Sequence, residues 1–330
     1  MVQKLPGDIY RSDLKLADGR DISYYDSSEI NRSASDKRNE EAQPGIGHLR
    51  LDPLVDEWVV IASHRQHRVF LPPKELCPLC ASTDDKLTEI PDKDYEVAVF
   101  GNRAPALTTP KGNFKLAQIS ALTTPDVDAA GACEVVCYTS DHSSSFAKLT
   151  EKQIRAVLEA WKDRDSALSK LPFIEQVYIF ENRGEEVGVT LSHPHGQIYA
   201  YSFLPPKIEK MLQVANDHLV KTGKVLLDEV IKREIKDEKR IISQNSEWIA
   251  YVPYAARYPF EIHIAPLRGV SNMSGLDEKQ SAAFAPIAKE VLSRLDGVFG
   301  IEMAYIASWY QAPVNSGKDS MRLHWQIVSV

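Results

Sequence analysis

The chain carries one sequence pattern twice, and this internal repeat is the strongest constraint on its fold. Each copy has a capping box, a residue pair that marks a helix start, at Thr150 with Gln153 and at Asp277 with Gln280. An apolar stripe with helical spacing follows each box, and apolar strand-like runs flank both helices. Pro286 interrupts the second stripe, so that helix is expected to start later or to be kinked. The repeat predicts an α+β fold of duplicated domains, each an antiparallel sheet with helices packed on one face.

The same pattern divides the chain into four parts. Residues 1–47 form a polar N-terminal arm, because 26–47 are rich in charged and small polar residues with almost no apolar period. Residues 48–206 form the first domain, 207–236 a helical connector rich in Lys and Glu, and 237–330 the second domain.

Composition limits the partners and the compartment. The net charge of −7 argues against nucleic acid or an anionic membrane as the main partner. There is no apolar signal core at the start and no run long enough to span a membrane, so we expect a cytoplasmic protein. Four cysteines fit a reducing compartment, and Cys133 and Cys137 are expected to be ordinary core thiols.

A run of two histidines and a glutamine predicts chemistry in the first domain. His193, His195 and Gln197 are spaced so that they would share one face of a strand. Neutral imidazoles act near pH 7 as nucleophiles, proton carriers or metal ligands. The preceding loop, 182–188, resembles one whose backbone can approach an anion. A pair of hydrogen-bonded structural histidines is the alternative interpretation.

A second cluster indicates a metal site. Cys77 and Cys80 have the two-residue spacing with which thiolates chelate Zn²⁺. His142 and His193 are the best remaining donors for one such ion. A thioredoxin-like redox pair is the alternative, but that motif normally opens a helix, whereas the prolines around this pair indicate an irregular knuckle.

Further segments match one known enzyme family over most of the chain. They are 51–60, 63–68, 77–80, 100–103, 141–142, 181–182, 193–197, 253–261 and 324–326. With its His-Pro-His-Gly-Gln string, the chain resembles the galactose-1-phosphate uridylyltransferases of the histidine-triad superfamily. The resemblance implies two histidine-triad-like domains, of which 48–206 is catalytic and carries the zinc knuckle, and it implies a homodimer.

The resemblance also implies a reaction and a nucleophile. UDP-glucose and galactose 1-phosphate would be converted to glucose 1-phosphate and UDP-galactose by a ping-pong mechanism. His195 would form a covalent uridylyl-imidazole, and Gln197 would donate to a nonbridging phosphoryl oxygen. As the alternative, Gln197 would simply cap a neighbouring backbone group.

Several substrate contacts are carried over by position. Arg65 and Arg68 match an arginine pair near the phosphates, with a solvated surface pair as the alternative. Asn102 matches a residue that contacts the base or ribose, although the neighbouring acid of the family is Arg103 here.

The loop before the histidines supplies three more contacts. Asn182 would steady the nucleophile loop. Gly188 and Thr190 would present a backbone N–H and a hydroxyl group to phosphate.

Two departures from the family limit the resemblance. Some relatives bind iron, but the matching positions are Met211, Tyr310, Val328 and Val330, so no iron site is expected. The chain also stops at Val330, inside a strand that leads in relatives to a tail around the hexose 1-phosphate. The second domain is therefore expected to be truncated.

Two other functions stay open at this stage. One is a related nucleotidyl transferase or phosphorylase acting on another nucleotide sugar such as ADP-glucose. The other is a catalytically idle binding protein, against which the intact pair of His195 and Gln197 argues.

Overall fold

The computed structural model describes residues 2–40, 45, 47–65, 71–110, 114 and 127–329. Antiparallel strands dominate this part of the chain. They are β1 (Val2–Leu5), β2 (Ile9–Lys15), β3 (Asp21–Asp26), β4 (His48–Asp52), β5 (Glu57–Ile61), β6 (Val97–Gly101), β7 (Val127–Asp128), β8 (Gly131–Cys137), β9 (Gln176–Arg183), β10 (His195–Tyr201), β11 (Ile241–Gln244), β12 (Trp248–Tyr251), β13 (Phe260–Pro266), β14 (Tyr305–Tyr310) and β15 (His324–Ser329).

The two halves of the chain share one sheet. Twelve strands follow the order β1-β2-β3-β6-β8-β10-β9-β14-β15-β13-β12-β11, and β5-β4-β7 form a small second sheet. The halves meet where β9 pairs with β14, with Ser308 opposite Phe180. The predicted α+β class with antiparallel sheets is confirmed, but the separate sheets expected for two domains are fused into one.

Two long helices cover one face of this sheet. α1 (Glu151–Leu168) and α4 (Glu278–Gly297) both begin with the capping boxes that the sequence predicted. They pack on each other and bury a core of aliphatic side chains and four tryptophans. The expected late start of the second helix is wrong, because α4 begins directly after Asp277 and continues through Pro286.

The connector lies on the opposite face and consists of two helices. α2 (Pro206–Thr222) ends at Gly223, whose φ of 69° favours glycine, and α3 (Leu226–Asp237) follows. The apolar side of α3 packs on β12 and β13, and that of α2 packs on Ala312 and Met321, which lie between β14 and β15. No helix in the described part of the chain is long and apolar enough to cross a membrane.

The N-terminal residues differ from the expected polar arm. Residues 2–26 form β1, β2 and β3, which extend the large sheet at one edge. Beyond them, Arg32 is buried between the carboxylates of Asp26 and Asp92, each 2.7 Å away, and stacks over the Tyr24 ring. The sequence did not reveal this order, because one partner of Arg32, Asp92, comes from a loop 60 residues away in the chain.

Candidate active site and metal centre

The four predicted metal ligands lie together. One ligand atom each from Cys77, Cys80, His142 and His193 lies within 4.8 Å of the other three. Cys80 Sγ is 3.3 Å from His142 Nδ1 and 3.7 Å from His193 Nδ1. Two thiols and two imidazoles at these distances can hold a metal ion.

The cysteine pair sits in an irregular knuckle. Cys77 and Cys80 follow the short 3₁₀ helix Lys74–Leu76 and do not open a helix, as a thioredoxin-like pair would. The Lys86 ammonium donates to the carbonyls of Glu75 and Cys77 at 2.5 and 3.0 Å. These bonds fix the loop so that both sulfur atoms face the histidines.

His193 is oriented for metal binding by its second ring nitrogen. Its Nε2–H donates to the Thr139 carbonyl at 2.8 Å, which leaves the Nδ1 lone pair facing Cys80. Burial lowers the pKa of His193 to about 4, so the ring is neutral at pH 7. The expectation that His193 shares a strand face with His195 is wrong, because β10 begins at His195 and His193 lies in the bend before it.

His195 is the first residue of β10, and only one of its two ring nitrogens has a hydrogen-bond partner among the described residues. Its Nδ1–H donates to the His193 carbonyl at 2.7 Å, so the lone pair is on Nε2. Burial lowers the pKa of His195, which favours the neutral ring. A neutral imidazole with a fixed tautomer and an unbonded Nε2 is a nucleophile in its reactive form.

The glycine after His195 permits a close approach. A Cβ at Gly196 would overlap the Tyr138 hydroxyl and lie 2.8 Å from the Phe180 carbonyl oxygen. β10 pairs here with β8, where Gly196 is opposite Val136, and from Gln197 onward it also pairs with β9. Glycine therefore lets the nucleophile strand lie directly over a buried tyrosine.

Five of the predicted site residues line one cavity of about 270 Å³. Its lining includes Arg65, Asn102, Thr190, His195 and Gln197. These residues come from the 3₁₀ helix Ser63–Arg65, the end of β6, the loop before β10 and β10 itself. The cavity thus joins the imidazole to a guanidinium, two side-chain amides and a hydroxyl group, which suits a phosphorylated ligand.

Arg65 is anchored from the sheet. Its Nη1 donates to the Tyr199 hydroxyl at 3.1 Å, and its buried Nε has no hydrogen-bond partner within the described residues. The guanidinium is therefore positioned by one bond and keeps donors free for a ligand.

The remaining predicted contacts are distributed around this cavity. Asn182 lines a neighbouring cavity of about 180 Å³ with His195, and its buried Oδ1 has no partner among the described residues. Gly188 ends the 3₁₀ helix Glu185–Val187 at a φ of 78° and lines neither cavity. Arg68 lies outside the described residues, so its role stays a prediction.

Glu89 is a cavity residue that the sequence did not reveal. It is buried and accepts from Arg20 at 2.6 Å and from Arg38 at 2.9 Å. Arg103, also on this cavity, pairs with Glu40 at 2.9 Å. These ion pairs tie the N-terminal segment to the site. No local motif signals them, because each joins residues far apart in sequence.

Glu181 lies in one of the segments that match the family, but the sequence assigned it no role. Burial raises its pKa to about 8, so the carboxyl group is protonated at pH 7. It precedes Asn182 on β9 and therefore points away from the sheet face that carries Gln197.

Comparisons with known proteins agree with this geometry. Residues 36–205 match the galactose-1-phosphate uridyl transferase N-terminal domain, and residues 210–329 match the corresponding C-terminal domain. A galactose-1-phosphate uridylyltransferase from Streptomyces lividans is 41% identical over 92% of this chain and 81% of its own length. A solved uridylyltransferase structure has a TM-score of 0.73 at 29% identity, covering 86% of each chain. An ADP-glucose phosphorylase from Arabidopsis thaliana, solved with bound ADP-glucose, has a TM-score of 0.65 at 25% identity, covering 86% of this chain and 88% of its own. The chain belongs to the galactose-1-phosphate uridylyltransferase family.

Proposed function

We propose that this chain transfers a uridylyl group from UDP-glucose to galactose 1-phosphate through a covalent intermediate on His195. The family and the relatives named above support this substrate pair. The observation that carries the mechanism is the bond from His195 Nδ1–H to the His193 carbonyl, because it leaves the Nε2 lone pair for attack.

The reaction has two balanced half-reactions. His195 Nε2 attacks the α-phosphorus of UDP-glucose, and the bond from that phosphorus to the bridging oxygen breaks. Glucose 1-phosphate leaves with the electron pair. A phosphate oxygen of galactose 1-phosphate then attacks the uridylyl-histidine and releases UDP-galactose, which returns His195 to its neutral form. The Nδ1–H stays hydrogen-bonded to the His193 carbonyl throughout, and this bond offsets the positive charge that develops on the ring.

The cavity residues would stabilise the transferring group. The Arg65 guanidinium and the Gln197 amide are donors suited to nonbridging phosphoryl oxygens, with the Thr190 hydroxyl beside them. Asn102 would contact the base or ribose, and Asn182 would use its free Oδ1 in the adjoining cavity. Arg68 would add a guanidinium for phosphate. The contact expected from Gly188 is not part of the proposal, because its backbone N–H donates to the Glu185 carbonyl at 2.9 Å.

The Cys/His cluster is proposed to hold one Zn²⁺. Two thiolates and two imidazoles make up the four donors that structural zinc sites take. All four would be protein ligands, so the ion would stabilise the knuckle and the bend before β10. Metal analysis of purified protein tests this assignment, and we propose no iron site.

The remaining properties are also proposals. We expect a cytoplasmic homodimer whose partners are a UDP-sugar and a sugar 1-phosphate, with no nucleic acid or membrane partner. The net charge of −7 supports the last point.

A second candidate substrate is ADP-glucose. The structural similarity to the Arabidopsis phosphorylase favours it. Turnover with ADP-glucose exceeding turnover with UDP-glucose would select this alternative.

Intact-protein mass spectrometry tests the proposed function. Incubation with UDP-glucose should add the mass of one uridylyl group, and galactose 1-phosphate should remove it. Peptide mapping should locate the group on His195. An unmodified protein with active turnover would overturn the covalent mechanism.

A further inference from the structure

The second half of the chain repeats the histidine and glutamine of the active site. His324 and Gln326 on β15 occupy the strand positions that His195 and Gln197 occupy on β10. His324 Nδ1–H donates to the carbonyl two residues earlier, that of Arg322, at 3.0 Å. His195 makes the same bond to the carbonyl two residues before it. The two imidazoles therefore have the same tautomer.

Strand register places both pairs on one face of the sheet. Gln197 is opposite Phe180, Phe180 is opposite Ser308, and Ser308 is opposite Gln326. His263 on β13 continues the same row. The two glutamines are three strand spacings apart, which is about 14 Å.

The Nε2 of His324 has a hydrogen-bond partner, whereas the Nε2 of His195 has none among the described residues. The Gln326 amide nitrogen donates to His324 Nε2 at 3.0 Å, and Gln326 Oε1 accepts from Lys207 Nζ at 2.8 Å. The lone pair of His324 is thus already bonded, so this site does not attack a phosphorus. A ligand in the second half would bind without a covalent bond.

A cavity of about 480 Å³ lies beside this pair, between α2 and α3. Its volume is in the range of small-molecule sites. Tyr251, His263, His324 and Gln326 line it from the sheet. The helices contribute apolar walls, formed by Met211, Val214, Ala215, Leu226, Leu227 and Val230.

Two polar groups on this cavity have no protein partner. The Tyr251 side chain is fully buried, and its hydroxyl has no hydrogen bond within the described residues. A buried hydroxyl without a partner is costly, so it marks a position for a ligand atom. The Arg257 guanidinium has no carboxylate within 4.0 Å in the described parts of the chain, although the Arg257 backbone N–H donates to Glu261 at 2.6 Å. The Glu234 carboxylate is held by Arg240 at 2.9 and 3.1 Å. Of these two charged groups on the cavity wall, the one without an ion pair among the described residues is therefore the positive one, the Arg257 guanidinium.

We infer that this cavity is a noncovalent site for a nucleoside phosphate, distinct from the site around His195. The phosphate would lie beside the Arg257 guanidinium, because the His263 Nε2 is already bonded to the Glu261 carboxylate at 3.1 Å. The base would lie between the apolar walls with a polar edge on the Tyr251 hydroxyl. The choice of a nucleoside phosphate rests on the proposed function, because the repeated strands and the repeated His and Gln pair suggest a repeated ligand class. The apolar walls, the unpaired guanidinium and the orphan hydroxyl support it independently.

Hydrogen exchange on the full, metal-loaded chain tests the inference with UMP as the probe. UMP should slow exchange in β12 and β13 of the wild type. Tyr251→Phe should need about fivefold to tenfold more UMP for the same protection, because one hydrogen bond to the ligand is lost. The same change should not lower the melting temperature, since the free protein loses only an unbonded hydroxyl. Arg257→Gln should also weaken protection, whereas Arg233→Gln, outside the cavity on α3, should not.

The outcomes separate this site from the proposed reaction. Absence of protection in β12 and β13, in an enzyme that still forms the uridylyl adduct, would overturn the second site alone. Protection of β12 and β13 by UMP in a protein that forms no uridylyl adduct would contradict the proposed function and would support the second site. Equal protection by glucose 1-phosphate would show that no base is recognised, and would overturn the nucleoside assignment.

Discussion

The carbonyl oxygen of His193 accepts a hydrogen bond from the Nδ1–H of His195 at 2.7 Å, while the His193 ring lies in the Cys/His cluster. One residue therefore connects the Cys/His cluster to His195. Its ring is held by Thr139 on one side and faces Cys80 on the other, so its backbone is fixed as well. An ion in the cluster would stabilise the carbonyl that sets the tautomer of His195, without touching the substrate.

Removal of the nucleophile should abolish transfer and leave the fold intact. We expect His195→Gly to lower kcat by at least about 10³-fold, because no other described side chain on the cavity offers an unbonded imidazole nitrogen. Steady-state kinetics and circular dichroism measure the two effects. Metal content should stay at the wild-type level, since His195 is not a ligand. Turnover near that of the wild type would contradict the proposed role.

Loss of one thiol from the cluster should affect stability more than chemistry. Cys77→Ser is expected to reduce metal content and to lower the free energy of unfolding by about 2–5 kcal/mol. Cys133→Ala is the control, because Cys133 is also buried but lies outside the cluster. Denaturant unfolding gives the free energy of unfolding of both variants, and metal analysis gives their metal content. Equal losses of stability and unchanged metal in both variants would argue against a metal site.

The close approach of Gly196 on β10 to the Tyr138 hydroxyl predicts that a second substitution, at Tyr138, partly restores a Gly196 variant. Gly196→Ala should lower stability and turnover, because the new Cβ overlaps the Tyr138 hydroxyl. That hydroxyl has no hydrogen-bond partner within the described residues, so Tyr138→Phe alone should be nearly neutral. The double variant should recover part of the loss. Gly297→Ala, where a Cβ has open space, is the control. A double variant no better than Gly196→Ala would show that the Phe180 carbonyl is the main obstacle.

The parts of this site that sequence predicted are those encoded by short spacing. The Cys77 and Cys80 pair, the His195 and Gln197 pair and both capping boxes follow from local spacing. His142 and His193 are predicted by their donor chemistry alone, and the structure brings them to the cysteine pair. The role of Gln197 as a phosphate donor is still a prediction, as are those of the arginines.

The parts that sequence missed depend on pairing between distant segments. Fusion of the two sheets needs β9 to meet β14, which no periodicity specifies. The burial of Arg32 and of Glu89 depends on partners from other strands and loops. His193 lies in the bend before β10, where its ring faces Cys80 of the cluster. The alternation of side-chain direction that a two-residue spacing predicts for a strand therefore does not apply to it.

The buried histidine of the second half should make stability depend on pH. Burial lowers the pKa of His324 to about 3, from an ordinary value of 6.5, and His263 and Lys207 act in the same direction. The unfolded chain therefore takes up a proton that the folded chain resists. This contribution to stability is full above pH 6.5 and is lost as the pH falls from 6.5 toward 3. In His324→Gln, the slope of unfolding free energy against pH in this window should decrease by up to about 1.4 kcal/mol per pH unit. Denaturant unfolding at several pH values measures it, and an unchanged slope would contradict the assignment.

The bond between Tyr199 and Arg65 predicts a graded effect on substrate binding. Tyr199→Phe removes a 3.1 Å hydrogen bond that orients the guanidinium but keeps the charge, so KM for UDP-glucose should rise by about threefold to tenfold with little change in kcat. Arg65→Lys keeps the charge but loses the fork of donors, and should reduce kcat/KM by about tenfold to a hundredfold. The tyrosine change should add little in the Arg65→Lys background, because its partner is already absent. Steady-state measurements of kcat and KM for the wild type, the two single variants and the double variant make up a double-mutant cycle. Fully additive losses would show that Tyr199 acts on the substrate by another route than Arg65.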